Sequence, residues 1–143
     1  MPLVTVIIPN YNHEKFLEKR IESILHQTFQ DFEIIIFDDA STDNSLAVLN
    51  NYKEHPKVNH FIVNEINSGS PFKQWQRGLN LAKGKYLWIA ETDDFAEELF
   101  LEKSVAEIQK TESVVLTYTD SKIIDEKGNY LGDFRDNKNE FFN

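Results

Sequence analysis

Two pairs of adjacent carboxylates end apolar runs: Asp38-Asp39 follow FEIIIF, and Asp93-Asp94 come two residues after YLWIA. Adjacent carboxylates repel unless a cation or hydrogen-bond donors compensate them. A hard divalent cation takes oxygen ligands, and Mg²⁺ typically accepts one or two protein carboxylates and completes its sphere with water and substrate phosphates. Asp93-Asp94 therefore suit a site that holds a nucleoside diphosphate through a metal. Asp also caps helices, and with a helix read from about Phe95 the pair divides evenly between cap and ligand. Asp38-Asp39 are open in the same way. The segment DDASTDNS combines turn formers and caps, with Asp43 or Ser41 nearest the following helix. A carboxylate at that strand end can instead accept the imino N–H of a uracil, thymine or guanine ring, which cytosine lacks at the matching position. Tyr11 offers an aromatic face for such a base or, equally, packs on its own loop.

Other chemistries are thinly represented. There is no cysteine, hence no thiolate nucleophile, thiolate metal site or disulfide framework. His13, His26, His55 and His60 have no metal-ligand spacing and read as structural or surface residues. Five scattered glycines form neither a dinucleotide fingerprint nor a P-loop. Phosphate charge would then be met by a metal or by cations such as Arg77, Lys83 and Lys85, which are more often simply solvated. A net charge of −9, from 15 Lys plus Arg against 24 Asp plus Glu, disfavours a nucleic-acid surface. No signal peptide or membrane-length apolar run is present, so the chain reads as soluble and cytoplasmic, with membrane association open to a longer parent protein.

The elements that must position these residues follow from periodicity. Leu3 to Ile8 is an almost unbroken β-branched run closed by Pro9, as expected of a strand buried on both faces. Phe16, Leu17, Ile21, Ile24 and Leu25 then recur at helical spacing behind a cap near Asn12. Phe32 to Phe37 is a second buried strand, followed by a helix carrying Leu46, Val48, Leu49 and Tyr52. Val58 to Val63 is a weaker third strand, and NSGSP leads into a helix from about Phe72 to Ala82. Tyr86 to Ala90 is a fourth strand, and Leu101, Val105 and Ile108 mark another helix. Val114 to Tyr118 reads as a fifth strand, and the segment around Lys127-Gly128-Asn129 as a β-hairpin. Trp88, by strand position, and Trp75 read as core or cleft-wall residues. This alternation predicts one α/β domain over 1–143, with a doubly wound, mainly parallel sheet flanked by helices. Ligands bind such sheets beyond the carboxyl ends of the strands, where Pro9, Asn10 and Tyr11, Asp38-Asp39 and Asp93-Asp94 all fall.

Taken together, VTVIIPNYNHEKFLEKRIESILHQTFQDFEIIIFDDASTDNS, NSGS, AKGKYLWIAETDD and VVLTYTDSKIIDEKG, in this order from Val4 to about Asn129, resemble the family 2 glycosyltransferases of the GT-A fold. The resemblance implies a GT-A, Rossmann-like sheet and inverting transfer of a sugar from a nucleoside diphosphate-sugar to an acceptor hydroxyl. Polysaccharide, cell-surface glycan or glycolipid synthesis would be the setting, with Mg²⁺ or Mn²⁺ as cofactor. Pro9 and Tyr11 would line the nucleoside pocket, and Asp39 would bond the base. Asp93 would meet the ribose or donor sugar, and Asp94 would bind the metal in a DXD-like motif. A UDP-sugar is the favoured donor and a glycan or lipid-linked molecule the acceptor.

Three departures stand out. Glu91 replaces a common Asp, and Gln74-Trp75-Gln76 replaces an Ala-Arg-Asn run. The family's general base is expected beyond Asn143, so no catalytic residue is assigned among Asp120, Asp125, Asp133 and Asp136. The chain reads as a donor-binding part, inactive alone, in which exposed Phe141 and Phe142 would favour self-association. Alternatives are a non-catalytic nucleotide-sugar-binding or interaction module, or a nucleotidyltransferase on a similar scaffold.

Overall fold

The computed structural model describes residues 1–134, in two compact units, Met1–Leu101 and the part of Glu102–Asn143 that ends at Phe134. Asp136, Phe141 and Phe142 lie outside the described residues. The first unit runs β1 (Val4–Asn10), α1 (Glu14–Leu25), β2 (Phe32–Asp38), α2 (Ser45–Asn50), β3 (Val58–Val63), α3 (Pro71–Leu81) and β4 (Tyr86–Ile89), and ends in the first turn of α4 (Phe100–Ile108). Its four strands form a parallel sheet in the order β3-β2-β1-β4. Every position of β1 and β2 is buried, the state expected of apolar runs in the middle of a parallel sheet.

Two polar residues in these strands, Thr5 and Glu33, pair with each other. Thr5 Oγ1 donates to Glu33 Oε1 at 2.7 Å, and the Lys83 N–H donates to the same oxygen at 2.8 Å. At Gly78 a Cβ would come within 2.6 Å of Ile7 Cδ1. The absence of a side chain there lets α3 lie against β1, which carries Gln74, one turn earlier, to the strand ends.

Strand order fixes where a ligand can enter. From β1 the chain steps outward through β2 to β3, then crosses back to place β4 on the other side of β1. The reversal opens a crevice at the carboxyl ends of β1 and β4, the position at which doubly wound sheets bind ligands. The register Asn10↔Asp38 and Ile7↔Ile89 brings the three loops after β1, β2 and β4 together.

Local chemistry differs from the sequence reading at three points. Asn12 does not cap α1: it adopts φ 57° and its Oδ1 accepts from the Thr42 and Asp43 N–H groups at 2.7 and 3.3 Å. The amide thus stitches the β1–α1 loop to the loop after β2. The helix expected from Phe95 begins instead at Phe100. Val114 to Tyr118 forms no strand; a strand needs a neighbour for its backbone groups, and among the described residues none pairs with this run. Val115, Leu116 and Tyr118 are exposed there.

The cap of α1 comes from across the structure. Asp43 Oδ2 accepts from the Glu14 N–H at 3.0 Å, Asp43 Oδ1 accepts from the Ser45 N–H at 2.9 Å, and Glu14 Oε2 accepts from the Asn44 N–H at 3.0 Å. One carboxylate serves the first turns of both α1 and α2. Burial works against its charge, but the bonds from Ser45 and Glu14 outweigh that and hold Asp43 below the usual carboxylate range. Asp43→Ala should destabilise the fold by about 1–3 kcal/mol, since single caps contribute about 0.5–2 kcal/mol. Because the folded pKa is depressed, this contribution is present above the unfolded carboxylate value and is lost as pH falls through the folded one. Thermal melts of wild type and variant should therefore converge on acidification; a gap that widens towards low pH would contradict the assignment.

In the second unit, residues of α4 from Glu102 precede an antiparallel pair, β5 (Lys122–Ile124) and β6 (Tyr130–Asp133). Asp125 Oδ1 accepts from the Lys127 and Asn129 N–H groups at 2.9 and 2.8 Å, and Gly128 takes φ 84°. This is the hairpin expected around Lys127-Gly128-Asn129. Among the described residues no helix is long and apolar enough to cross a membrane.

Candidate functional site

A cavity of about 370 Å³ opens at the strand ends of the first unit. Pro9, Asn10 and Tyr11 from the end of β1, Asp39 from the end of β2 and Glu91 from the end of β4 line it, with Asn67, Gly69, Ser70, Pro71 and Gln74 on the remaining side. Pro9, Tyr11 and Asp39, singled out by sequence, thus share one wall system. Tyr11 is 45% exposed and lines the cavity, so a bound ligand can reach it.

Asp38 and Asp39 do different work. Asp38 is buried and holds the loop: it accepts from Asn10 Nδ2 at 2.8 Å, from Ser41 Oγ at 2.6 Å and from the Ser41 N–H at 3.0 Å. Asp39, also buried, gathers the far wall. Its Oδ1 accepts from Asn64 Nδ2, from Gln74 Nε2 at 2.8 Å and from the Ser68 N–H at 3.0 Å. Among the described residues its Oδ2 is engaged only by Ser68, through Oγ at 2.7 Å and the N–H at 3.1 Å. An ionised carboxylate has about four lone-pair sites, so Oδ2 keeps acceptor capacity.

Asp93 and Asp94 lie on the turn after β4, are exposed, and are not among the residues lining the cavity. Neither caps a helix, because α4 begins at Phe100, and among the described residues neither carboxylate accepts a hydrogen bond. Among the described residues no three His, Cys, Asp or Glu side chains form a metal-holding cluster. A pair of free carboxylates without a third ligand is the donor set expected where a substrate phosphate completes the coordination.

Glu91 is the acidic side chain that the structure moves into the cavity wall. Its Oε1 is buried without a hydrogen-bond partner, as is Nε1 of Trp75. Burial raises the Glu91 pKa most; Trp75 lowers it, Asp93 and Asp94 raise it, and Arg20 lowers it. Trp75 is thus within electrostatic reach of Glu91, yet the two buried atoms fall short of a well-formed bond. Arg20, only 3% exposed, lies under the acidic turn with its guanidinium 5.0 Å from the Trp88 ring centroid. Burial pulls its pKa down to about 10, against the opposing pull of Asp94, Glu91 and Asp93.

Sequence reasoning passed over His13, Gln74 and Arg20. His13 lines the cavity and pairs through Nδ1 with Thr92 Oγ1 of the acidic turn. The signal for Arg20 was available: it falls on the buried stripe of α1 with Leu17, Ile21 and Ile24, where a charged residue is costly unless compensated. Nothing in the local pattern marks Gln74, whose role depends on α3 reaching Asp39.

The family described as Glycosyl transferase family 2 matches residues 5–142. An uncharacterised glycosyltransferase of Methanocaldococcus jannaschii is 35% identical over 142 residues, 98% of this chain and 49% of that protein. The chain therefore spans about half the length of that relative. The chondroitin synthase of Escherichia coli is 35% identical over 92% of this chain and 19% of its own length. Among solved structures, S. aureus TarS 1–349 in complex with UDP-GlcNAc has a TM-score of 0.68 at 26% identity, covering 87% of this chain and 40% of that one. The mannosyltransferase PcManGT of Pyrobaculum calidifontis, in complex with GDP-Man and Mn²⁺, has a TM-score of 0.67 at 24% identity over 76% of this chain and 33% of that one, a likeness of fold.

Proposed function

The chain belongs to glycosyl transferase family 2, and from that premise we propose that it is the donor-binding part of an inverting glycosyltransferase. The donor is a nucleoside diphosphate-sugar, a UDP-sugar first, and the acceptor a hydroxyl of a glycan or lipid-linked molecule. The observation that carries this reading is the placement of Tyr11 and Asp39 on one cavity, with two exposed carboxylates that accept no hydrogen bond among the described residues on the turn after the neighbouring strand. Uridine leads because the TarS neighbour was solved with UDP and with UDP-GlcNAc.

In this reading Pro9 and Tyr11 pack on the base, and Asp39 Oδ2 takes its imino N–H. Asp93 bonds the ribose or the donor sugar, and Asp94 holds Mg²⁺ or Mn²⁺. These exposed carboxylates, which accept no hydrogen bond among the described residues, would suit such an ion, which takes oxygen ligands from few protein carboxylates and from phosphate. When bound, the ion offsets charge on the departing diphosphate. The protein's own contribution is orientation: with base and ribose fixed, the anomeric carbon presents the face opposite the diphosphate to the acceptor, which gives inversion.

Calorimetry of UDP, dTDP, GDP and CDP, each with and without Mn²⁺, tests this. UDP or another imino-bearing nucleotide should bind with Mn²⁺, CDP more weakly, and all should weaken with chelator. Binding of no nucleotide, or binding indifferent to metal, would overturn the reading.

A further inference from the structure

Residues 90–99, between β4 and α4, contain no helix or strand. Asp93 and Asp94 lie among them, exposed and accepting no hydrogen bond among the described residues. What fixes an irregular segment is where its backbone groups find partners. Here the partners come from α1 and the turn that follows it. Gln27, only 2% exposed, is the centre of the clamp. Its Nε2 donates to the Ser23 carbonyl at 2.9 Å and to the Glu97 carbonyl at 2.8 Å, and its Oε1 accepts from the Leu101 N–H at 2.8 Å. That last bond caps α4 from 74 positions away. Ser23 Oγ accepts from the Ala96 N–H at 3.3 Å, and the Thr28 N–H donates to the Glu98 carbonyl at 2.9 Å. On the near side of the carboxylates, buried Thr92 pairs with His13 at the start of α1. The acidic turn is therefore held on both sides from α1 and its following turn.

The choice of an amide at this place is informative. Burying a polar side chain costs free energy unless its bonds are made, and a Leu or Met would pack α1 against α4 without that cost. Apolar packing, however, is non-directional, so it would leave the path of the 96–101 backbone loosely specified. Directional bonds set that path. Groups behind metal-ligating carboxylates matter for the same reason, since changing them typically alters metal affinity by about 10- to 100-fold.

We propose that Gln27, with Ser23 beside it, is a positioning residue of the donor site: by pinning the backbone of residues 96–101 to the end of α1, it sets where Asp93 and Asp94 meet a metal-bound diphosphate. This rests on the donor-binding reading above. Neither Gln27 nor Ser23 lines the cavity, so both act through the acidic turn rather than on the donor.

The test titrates Mn²⁺ into the whole chain at saturating UDP, or GDP if the nucleotide panel favours it, and reads the half-saturating Mn²⁺ concentration. Gln27→Met keeps the length of the side chain and removes its hydrogen bonds. It should raise that concentration about 10-fold, the lower end of the range for groups behind metal ligands. Discrimination against CDP in excess Mn²⁺, assigned above to Asp39, should not change. Thr5→Val is the control for stability: it removes the buried bond to Glu33 and should lower the melting temperature without altering the response to Mn²⁺. In an Asp94→Asn background, Gln27→Met should cost little further nucleotide affinity, because both changes act through one carboxylate. A folded Gln27→Met with wild-type half-saturation would overturn the proposal. An equal shift in Thr5→Val would overturn it too, by reducing the effect to stability. If Gln27→Met does not fold, Ser23→Ala decides. Loss of the acceptor for the Ala96 N–H should shift half-saturation about 2- to 5-fold, and no shift counts against the clamp. Wild type that binds no nucleotide, or binds it without regard to Mn²⁺, fails the donor-binding reading itself, a separate outcome.

Discussion

Asp94→Asn is expected to lower nucleoside diphosphate affinity in Mn²⁺ by about 10²- to 10³-fold, roughly 3–4 kcal/mol, while leaving the melting temperature of the ligand-free protein unchanged. The magnitude is that of removing one partner from a close charge pair, about 2–5 kcal/mol. Binding and stability separate because Asp94 is exposed and accepts no hydrogen bond among the described residues. Losing the charge relieves repulsion with Asp93 and withdraws part of the charge that compensates the buried Arg20, two effects of opposite sign, and it breaks no hydrogen bond among the described residues. Asp93→Asn makes the comparison sharp: it should weaken binding yet keep the response to metal, whereas Asp94→Asn should lose that response. Calorimetry with and without chelator reads both. If Asp94→Asn binds UDP as tightly as wild type in Mn²⁺, the metal is held elsewhere, and the acidic turn would serve Arg20 and Glu91 alone.

The fold was legible where the physics is periodic and local. LVTVII and FEIIIF announce buried parallel strands, and β1 and β2, which they supply, are buried throughout. The apolar stripe of α1 and the alternation of strands with helices lead to the observed sheet. Val114 to Tyr118 went astray because a β-branched run only states a preference, and a ladder also requires a partner. The caps misled for a related reason. Asp43 does accept from the Ser45 N–H at the start of α2, as its place in the sequence suggests, but it also serves α1 from a distance of 29 positions, and Asn12 bridges two loops instead of capping α1; local pattern does not carry such bonds. In the site, strand-end position pointed to Pro9, Tyr11 and Asp39. Arg20, Gln74 and His13 depend on how α1 and α3 dock, which only the assembled sheet determines.

Asp39 illustrates how that docking sharpens an expectation. From sequence, truncation of its carboxylate flattens a base preference; in the structure it also strands donors from Asn64, Ser68 and Gln74. Asp39→Ala should therefore cost about 3–5 kcal/mol of stability, several buried donors losing about 1–3 kcal/mol each with partial relaxation. Asp39→Asn is the more informative change. Among the described residues Oδ1 takes three donors and Oδ2 only Ser68, so the amide oxygen of Asn should stay on the Oδ1 side and its NH₂ replace Oδ2. Ser68 Oγ can then turn to accept. A base site that accepted an imino N–H becomes one that donates, matching the unprotonated ring nitrogen of cytosine. The UDP-to-CDP affinity ratio should fall about 10- to 100-fold, with CDP gaining in absolute affinity. Measured by calorimetry on folded variant, an unchanged ratio would place the base away from Asp39, leaving that carboxylate the structural task of binding the Asn64–Gln74 wall to the end of β2.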